Sequence, residues 1–220
     1  AIVTDAGGTI GATGTATSVA GIPFYSVSSN SSMYTHDVSG TDSTAENNTA
    51  YGFGALDAIT TGDHNTAIGK GALSSNTTGQ QNTLIGALAG DALTDADYNV
   101  AIGYQALSGD TLGSRSVAIG RRALATQNFT SATNSYNVAI GYTAGEAITT
   151  GQSNILIGGL AGDGFDTESN NLAIGQNALG GAVAGGENNV AIGNNSLDAL
   201  TSADDNVAIG FNAGTALTTG

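Results

Sequence analysis

A five-residue run, Asn99-Val100-Ala101-Ile102-Gly103, recurs with small variations ten times along this chain. The copies begin at Asn48, Asn65, Asn82, Asn99, Ser116, Asn137, Asn154, Asn171, Asn189 and Asn206. Successive starts lie 17 residues apart, except for one interval of 21 and one of 18. A fixed period held this long restricts the fold more than any other property of the sequence. Each unit is too small to bury a core alone and must stack on its neighbours, which is the logic of a solenoid. Residues 48–220 are read as one ten-coil repeat domain, and residues 1–47, which lack the run, as an N-terminal cap or linker.

Positions are counted here from the Asn of each copy. Position 5 is Gly in all ten copies, position 4 is Ile in nine with Tyr51 the exception, and position 3 is always Ala or Leu. Position 2 is Thr, Val, Ile or Leu. Period-two alternation places positions 2 and 4 on one strand face and the small residues at 1, 3 and 5 on the other. Hydrophobicity then assigns the branched face to the coil interior and the flat Asn-Ala-Gly face to the outside. Position 9 is Leu in six copies and Gly in four (Gly90, Gly145, Gly162, Gly214), and all four Gly copies carry a large apolar residue at position 12: Leu93, Ile148, Phe165 and Leu217. Of the six Leu copies only two do, at Ile59 and Leu200; such compensation is expected where two positions share one pocket of fixed volume.

Helix is excluded, since Gly or Pro interrupts every run and no apolar stripe of period 3.6 persists. Seventeen residues allow two strands of about five residues and two turns. The expected fold class is all-β: a parallel β-solenoid built as a two-strand β-roll of 17-residue coils, roughly 48 Å long if ten coils stack at about 4.8 Å. Gly alone accounts for 34 residues and there is no Trp, so the interior is expected to be thin.

The run N-[VT]-A-I-G followed by x-x-A-[LG] resembles the head repeats of YadA-type trimeric autotransporter adhesins. Asn65-Thr66-Ala67-Ile68-Gly69 through Asn76-Thr77-Thr78-Gly79 is also similar to repeats of phage tail-fibre and tailspike-like proteins. The resemblance implies left-handed parallel β-rolls in homotrimers displayed on a bacterial cell surface or a virion, with no catalytic residues in the repeats. A flat Ala face at positions 3 and 8, packed about a threefold axis, would suit such a trimer by leaving water at roughly 25 cal/mol per Å².

Charge narrows the partners. Eighteen acids face four bases, a formal net charge of −14, which argues against nucleic acid and against anionic membranes. No stretch approaches a membrane span, and the absence of Cys rules out disulfides and thiolate chemistry. No cofactor motif is present. The partners expected are other copies of the chain and a cell-surface glycan or protein receptor.

Candidate chemistry has a structural alternative at every point. The Asn at position 1 could bind ligand, but inward Asn ladders usually satisfy backbone groups. Acids recur at position 10 (Asp57, Asp91, Glu146, Asp163, Asp198) and near the repeat end (Asp63, Asp97, Asp204, Asp205). A glycosidase of the tailspike kind would need two of them across one cleft, whereas periodic acids read as a solvated face. Asp163-Gly164-Phe165-Asp166-Thr167-Glu168 contains oxygen ligands suited to Ca²⁺ but matches no standard calcium loop. His36-Asp37 and Asp63-His64 are too few histidines for a zinc site. The sequons at Asn30, Asn76 and Asn128 are expected by chance in a chain this rich in Asn and Thr. An ice-binding face would need a regular Thr array, which the Thr pairs interrupt at 94–95, 111–112 and 201–202. The coil from Asn206 onward offers an uncapped edge, read either as end-to-end stacking into a filament with residues 1–25 as donor, or as a piece of a longer chain.

The fifth repeat is the anomaly. It has Ser116 in place of Asn, four extra residues around Asn128-Phe129-Thr130-Ser131, and three of the four basic residues in or beside it: Arg115, Arg121 and Arg122. Alignment of the coils places Arg115 between Tyr98 and Tyr136, and Arg121 between Tyr104 and Tyr142. Two Tyr-Arg-Tyr ladders are expected on the surface, with a protruding loop carrying Phe129 beside them. Exposed aromatics next to Arg form either lateral braces or a binding patch.

Overall fold

The computed structural model describes residues 17–19, 22–27, 32–35, 44–181 and 186–219. The N-terminal part contributes β1 (Thr17–Val19), β2 (Ile22–Val27) and β3 (Ser32–Tyr34). Each repeat then supplies one three-residue strand: β4 (Thr49–Tyr51), β5 (Thr66–Ile68), β6 (Thr83–Ile85), β7 (Val100–Ile102) and β9 (Val117–Ile119) in the first half. The second half adds β11 (Val138–Ile140), β12 (Ile155–Ile157), β13 (Leu172–Ile174), β14 (Val190–Ile192) and β15 (Val207–Ile209). These join one 13-stranded sheet in chain order, with β8 (Gly113–Ser114) and β10 (Thr133–Asn134) forming a separate parallel pair. β1, β2 and β3 meander antiparallel, and from β3 onward every pairing is parallel and in register, position on position. The chain is therefore an all-β parallel solenoid of about ten turns, most of them 17 residues apart.

The stack begins earlier than the repeat. Ser32 Oγ accepts the Asn48 N–H at 3.0 Å, as an Asn at position 1 does elsewhere, and Thr35 Oγ1 accepts the Gly52 N–H at 2.9 Å. Met33 and Tyr34 pair with Thr49 and Ala50, and Tyr34 is fully buried. Residues 32–35, unrelated in sequence to the repeat, thus cover the strand of the first repeat.

Among the described residues each coil has one strand, not the two expected, except that coils 4 and 5 add the two-residue β8 and β10. Positions 7, 9 and 17 all adopt positive φ; in coil 4 these are Gln105 (φ 55°) and Leu107 (φ 55°), with Arg115 (φ 65°) entering coil 5. A left-handed residue costs an L-amino acid about 1–2 kcal/mol, so the recurrence needs a compensating term. Each of these residues donates its N–H to an adjacent coil: Gln105 to Ala87 O, Leu107 to Ala123 O, Arg115 to Asp97 O. Two left-handed residues within three positions bend the chain too sharply for a second strand. A second ladder forms only where β8 meets β10.

Position 5 is Gly for a related reason. Gly103 has φ 134°, and a Cβ there would lie 2.5 Å from the Gly120 carbonyl oxygen of the next coil. The same approach recurs up the stack, so no larger residue fits.

The facing of the strand is the reverse of the hydrophobic expectation. Position 3, Ala in most coils and Leu at Leu84 and Leu156, is buried in every coil up to Ala191, while positions 2 and 4 are half-buried or exposed. Asn at position 1 decides the parity. Its side chain turns inward to bond across the coil, so position 3 must also point inward and the branched residues outward. Ala at position 8 is likewise buried, opposite position 3. The small-residue face is thus core, and it is not available to a trimer interface.

Positions 9 and 12 do share a pocket. A Cβ on Gly90 would lie 2.9 Å from Leu93 Cδ1, one on Gly145 3.2 Å from Ile148 Cδ1, and one on Gly162 3.2 Å from Phe165 Cδ2. Where position 9 is Leu, that side chain is itself buried, wholly so at Leu56, Leu73, Leu107, Leu124 and Leu179, although Leu56 and Leu197 share their coils with a buried Ile59 and Leu200 at position 12.

Candidate functional site

The inner Asn ladder is structural. Asn82 Oδ1 accepts the Asn99 N–H at 2.9 Å, Asn99 Oδ1 accepts the Ser116 N–H at 2.8 Å, and Asn99 Nδ2 donates to Gly113 O at 2.9 Å. The same two bonds repeat at Asn65, Asn154, Asn171 and Asn189. Up to Asn189 these Asn side chains close their own coils and tie each to the next, with both polar ends engaged.

The acids near the repeat end are acceptors for the adjacent coil. Asp63 takes the Glu46 N–H (2.7 Å), Asp97 the Gln80 N–H (2.7 Å) and Asp204 the Glu187 N–H (2.8 Å). At position 10, burial pushes the Asp91 and Asp163 carboxyls above the usual carboxylate range, against an opposing backbone hydrogen bond, and Glu146 adds to the rise at Asp163. In the loop suggested for calcium, Phe165 is core and Glu168 folds back to accept the Asp166 N–H at 2.6 Å. Among the described residues no three acids or histidines converge as a metal site.

His64 is an exposed position-17 residue, and His36-Asp37 lies outside the described residues. Asn76 is buried and donates to Gly79 O (2.9 Å), so that sequon is unavailable for glycosylation. Asn128 is exposed, and Asn30 lies outside the described residues.

The fifth coil holds the surface candidates. Arg115 places its guanidinium 4.4 Å from the Tyr98 ring centroid, and its Nε donates to Asn134 Oδ1 at 3.1 Å. Arg121 lies between two rings, 6.0 Å from Tyr104 and 5.5 Å from Tyr142, and Nη1 reaches the Tyr142 hydroxyl at 3.3 Å. The ladder at position 6 is therefore complete. The one at position 17 is not: among the described residues Tyr136 makes no ring contact with Arg115, which is held by Asn134 of β10 instead.

Arg122 belongs to neither ladder. Its Nη2 pairs with Glu146 Oε1 at 2.6 Å on a different side of the coil. Phe129 also leaves the candidate site. It is only 5% exposed, its N–H bonds Asp110 Oδ1 (3.1 Å), and its carbonyl accepts Thr111 Oγ1 (3.0 Å). The inserted segment is drawn onto the fourth coil at Phe129, while Asn128 and residues 130–132 stand exposed.

Sequence reasoning missed the buried cluster beneath this surface. Ser116 is too short to continue the Asn ladder, and Gln127 enters the gap. Gln127 Nε2 donates to Asp110 Oδ2 (2.5 Å) and Ser116 Oγ (2.9 Å), and its Oε1 accepts Asn137 Nδ2 (2.8 Å). Asp110 and Gln127 at position 12, where six of the ten coils place Ile, Leu or Phe, were the available signal.

No protein-family model matches the chain, and no curated protein or solved structure matches it. The fold defines the class of protein, a parallel β-solenoid. Among the described residues no helix is long and apolar enough to cross a membrane.

Proposed function

We propose that the chain is the stiff segment of an extracellular fibre, a structural and adhesive rod displayed on a cell surface or virion, with no catalytic role. The observation that carries this reading is the use made of the repeated polar residues. The Asn of position 1 and the acids of position 16 hold coil to coil, so what remains to act on the surroundings is length and an outer face. The adhesin-head and tail-fibre resemblance of the repeats agrees with it. Antibodies raised against the purified chain should label intact producing cells or particles. Labelling only after lysis would overturn the proposal.

A second observation bears on assembly. Positions 2 and 4 present an aliphatic stripe along the outer strand face, with Ile68 38%, Ile85 37% and Ile155 41% exposed. A homotrimer of left-handed rolls, as the resemblance implies, would bury this stripe, gaining roughly 25 cal/mol for each Å² removed from water. Sedimentation equilibrium tests this separately: a monomer at every concentration removes the trimer and leaves the rod.

A further inference from the structure

We propose that the outward face of coils 4–6 is a docking site for a linear acidic polysaccharide, held at its carboxylates by Arg115 and Arg121. This goes beyond the rod reading, and it needs the outer strand face of coils 4–6 to be left open by any association of copies.

Charge is segregated along the rod. Between Asp97 and Glu146 the sole carboxylate is Asp110, which is wholly buried, and the same stretch holds all three arginines. Every other carboxylate of the chain lies outside this window. Two carboxylates border the window and both are engaged: Glu146 of coil 6 is paired with Arg122, and Asp97, whose carbonyl accepts the Arg115 N–H, accepts the Gln80 N–H at its own carboxylate.

The two exposed guanidinia are held but not neutralised. Arg115 is fixed by Tyr98 and Asn134, and Arg121 by Tyr104 and Tyr142. Among the described residues neither has a carboxylate partner, on a chain with 18 acids. Arg122 shows the alternative, since it is consumed by Glu146. A planar fork already ordered by its neighbours loses little freedom when it grips a carboxylate. Asn134, paired in register with Ser114 in β10 just after the inserted residues, positions Arg115.

The geometry selects the kind of anion. The site is an outer sheet face, and side by side across it stand two forks separated by six residues of chain, at most about 20 Å. An extended polymer bearing repeated acids can engage both, where a small ligand engages one. A peptide would add to an open strand edge, but β7, β9 and β11 are consecutive interior strands with both edges paired. The ligand is therefore read by side chains alone. Tyr98, Tyr104, Tyr136 and Tyr142, 43–55% exposed, set hydroxyls at the corners for sugar hydroxyls to bond. A second copy in register is a poor occupant, because it would bring like guanidinia to the same height.

Calorimetric titration of the full chain at physiological salt, using polygalacturonate, dextran and poly-L-glutamate as probes, tests the proposal. Polygalacturonate should bind, dextran should not, and poly-L-glutamate should bind at least about tenfold more weakly. Replacing Arg115 and Arg121 together by Gln should lose about tenfold or more for each arginine, the usual span of a charge-assisted hydrogen bond. Lys70→Gln should change nothing. The pair Arg115→Lys and Arg121→Lys keeps the charge and removes the forks, so it should still bind at least about threefold more weakly. It also decides the matter if the Gln variant fails to fold. Wild-type affinity in either double variant overturns the site. So does equal binding of poly-L-glutamate, which would mark an acidic-peptide surface, or no binding of polygalacturonate by the parent chain.

Discussion

Replacing Asn99 by Ala removes both arms of one rung of the inner ladder. Gly113 O loses the Asn99 Nδ2 donor and the Ser116 N–H loses the Asn99 Oδ1 acceptor, at a site with no solvent exposure. An orphaned buried polar group costs about 1–3 kcal/mol, so the two together cost about 2–6 kcal/mol. That is a large share of the 5–15 kcal/mol that typically holds a domain. Asn99→Asp keeps the acceptor for Ser116 but sets an oxygen against the Gly113 carbonyl and buries a charge, so at neutral pH it should cost at least as much as Ala. Urea unfolding followed by circular dichroism gives the ordering wild type, then Ala, then Asp. Hydrogen exchange should also show early loss of protection at Ser116. An Ala variant within about 0.5 kcal/mol of wild type, with Ser116 still protected, would refute the ladder as the element that closes each coil.

Further outcomes follow from the same geometry. Gly103→Ala forces a side chain into φ 134° and 2.5 Å from the Gly120 oxygen, and should cost more than about 3 kcal/mol in a thermal melt. Ile119→Ser on the outer face should cost under about 1 kcal/mol, while Ala118→Val in the core overpacks and should cost about 1–3 kcal/mol; the reverse order would restore the opposite parity. Asp91 and Asp163 bind protons more tightly folded than unfolded, because burial penalises their charge. Their contribution to stability is therefore full below the unfolded value and lost as pH rises through the raised folded one. Asp91→Asn with Asp163→Asn should raise the melting temperature at neutral pH and flatten its rise on mild acidification, as read by scanning calorimetry.

The period, the parallel stacking and the exchange of volume between positions 9 and 12 were legible in the sequence, because each is a property of spacing or side-chain size. Facing was misread. Hydrophobicity alone sends Ile at position 4 inward, yet Asn and Ala share a face, and an Asn that must satisfy backbone groups inside fixes the parity of the whole strand. The second strand failed because left-handed backbone at residues such as Gln105, Leu107 and Arg122 has no sequence signature when Leu and Arg occupy it. At the candidate site, coil alignment placed Arg121 between its two tyrosines. Alignment does not tell where an insertion goes, which is why Phe129 was expected outside and Asn134 beside Arg115 was not foreseen.

In a stiff stack of coils, equivalent residues climb one strand spacing per turn. The chain has no native Cys, so spin labels can be placed at Lys70, Tyr104, Gln176 and Asn194, all at position 6, and read in pairs by pulsed electron resonance. The account predicts narrow distributions rising by about 4.8 Å per coil: about 10 Å from Lys70 to Tyr104, about 29 Å to Gln176 and about 34 Å to Asn194. Distances that fail to grow with coil number, or broad distributions at the longer pairs, would contradict it.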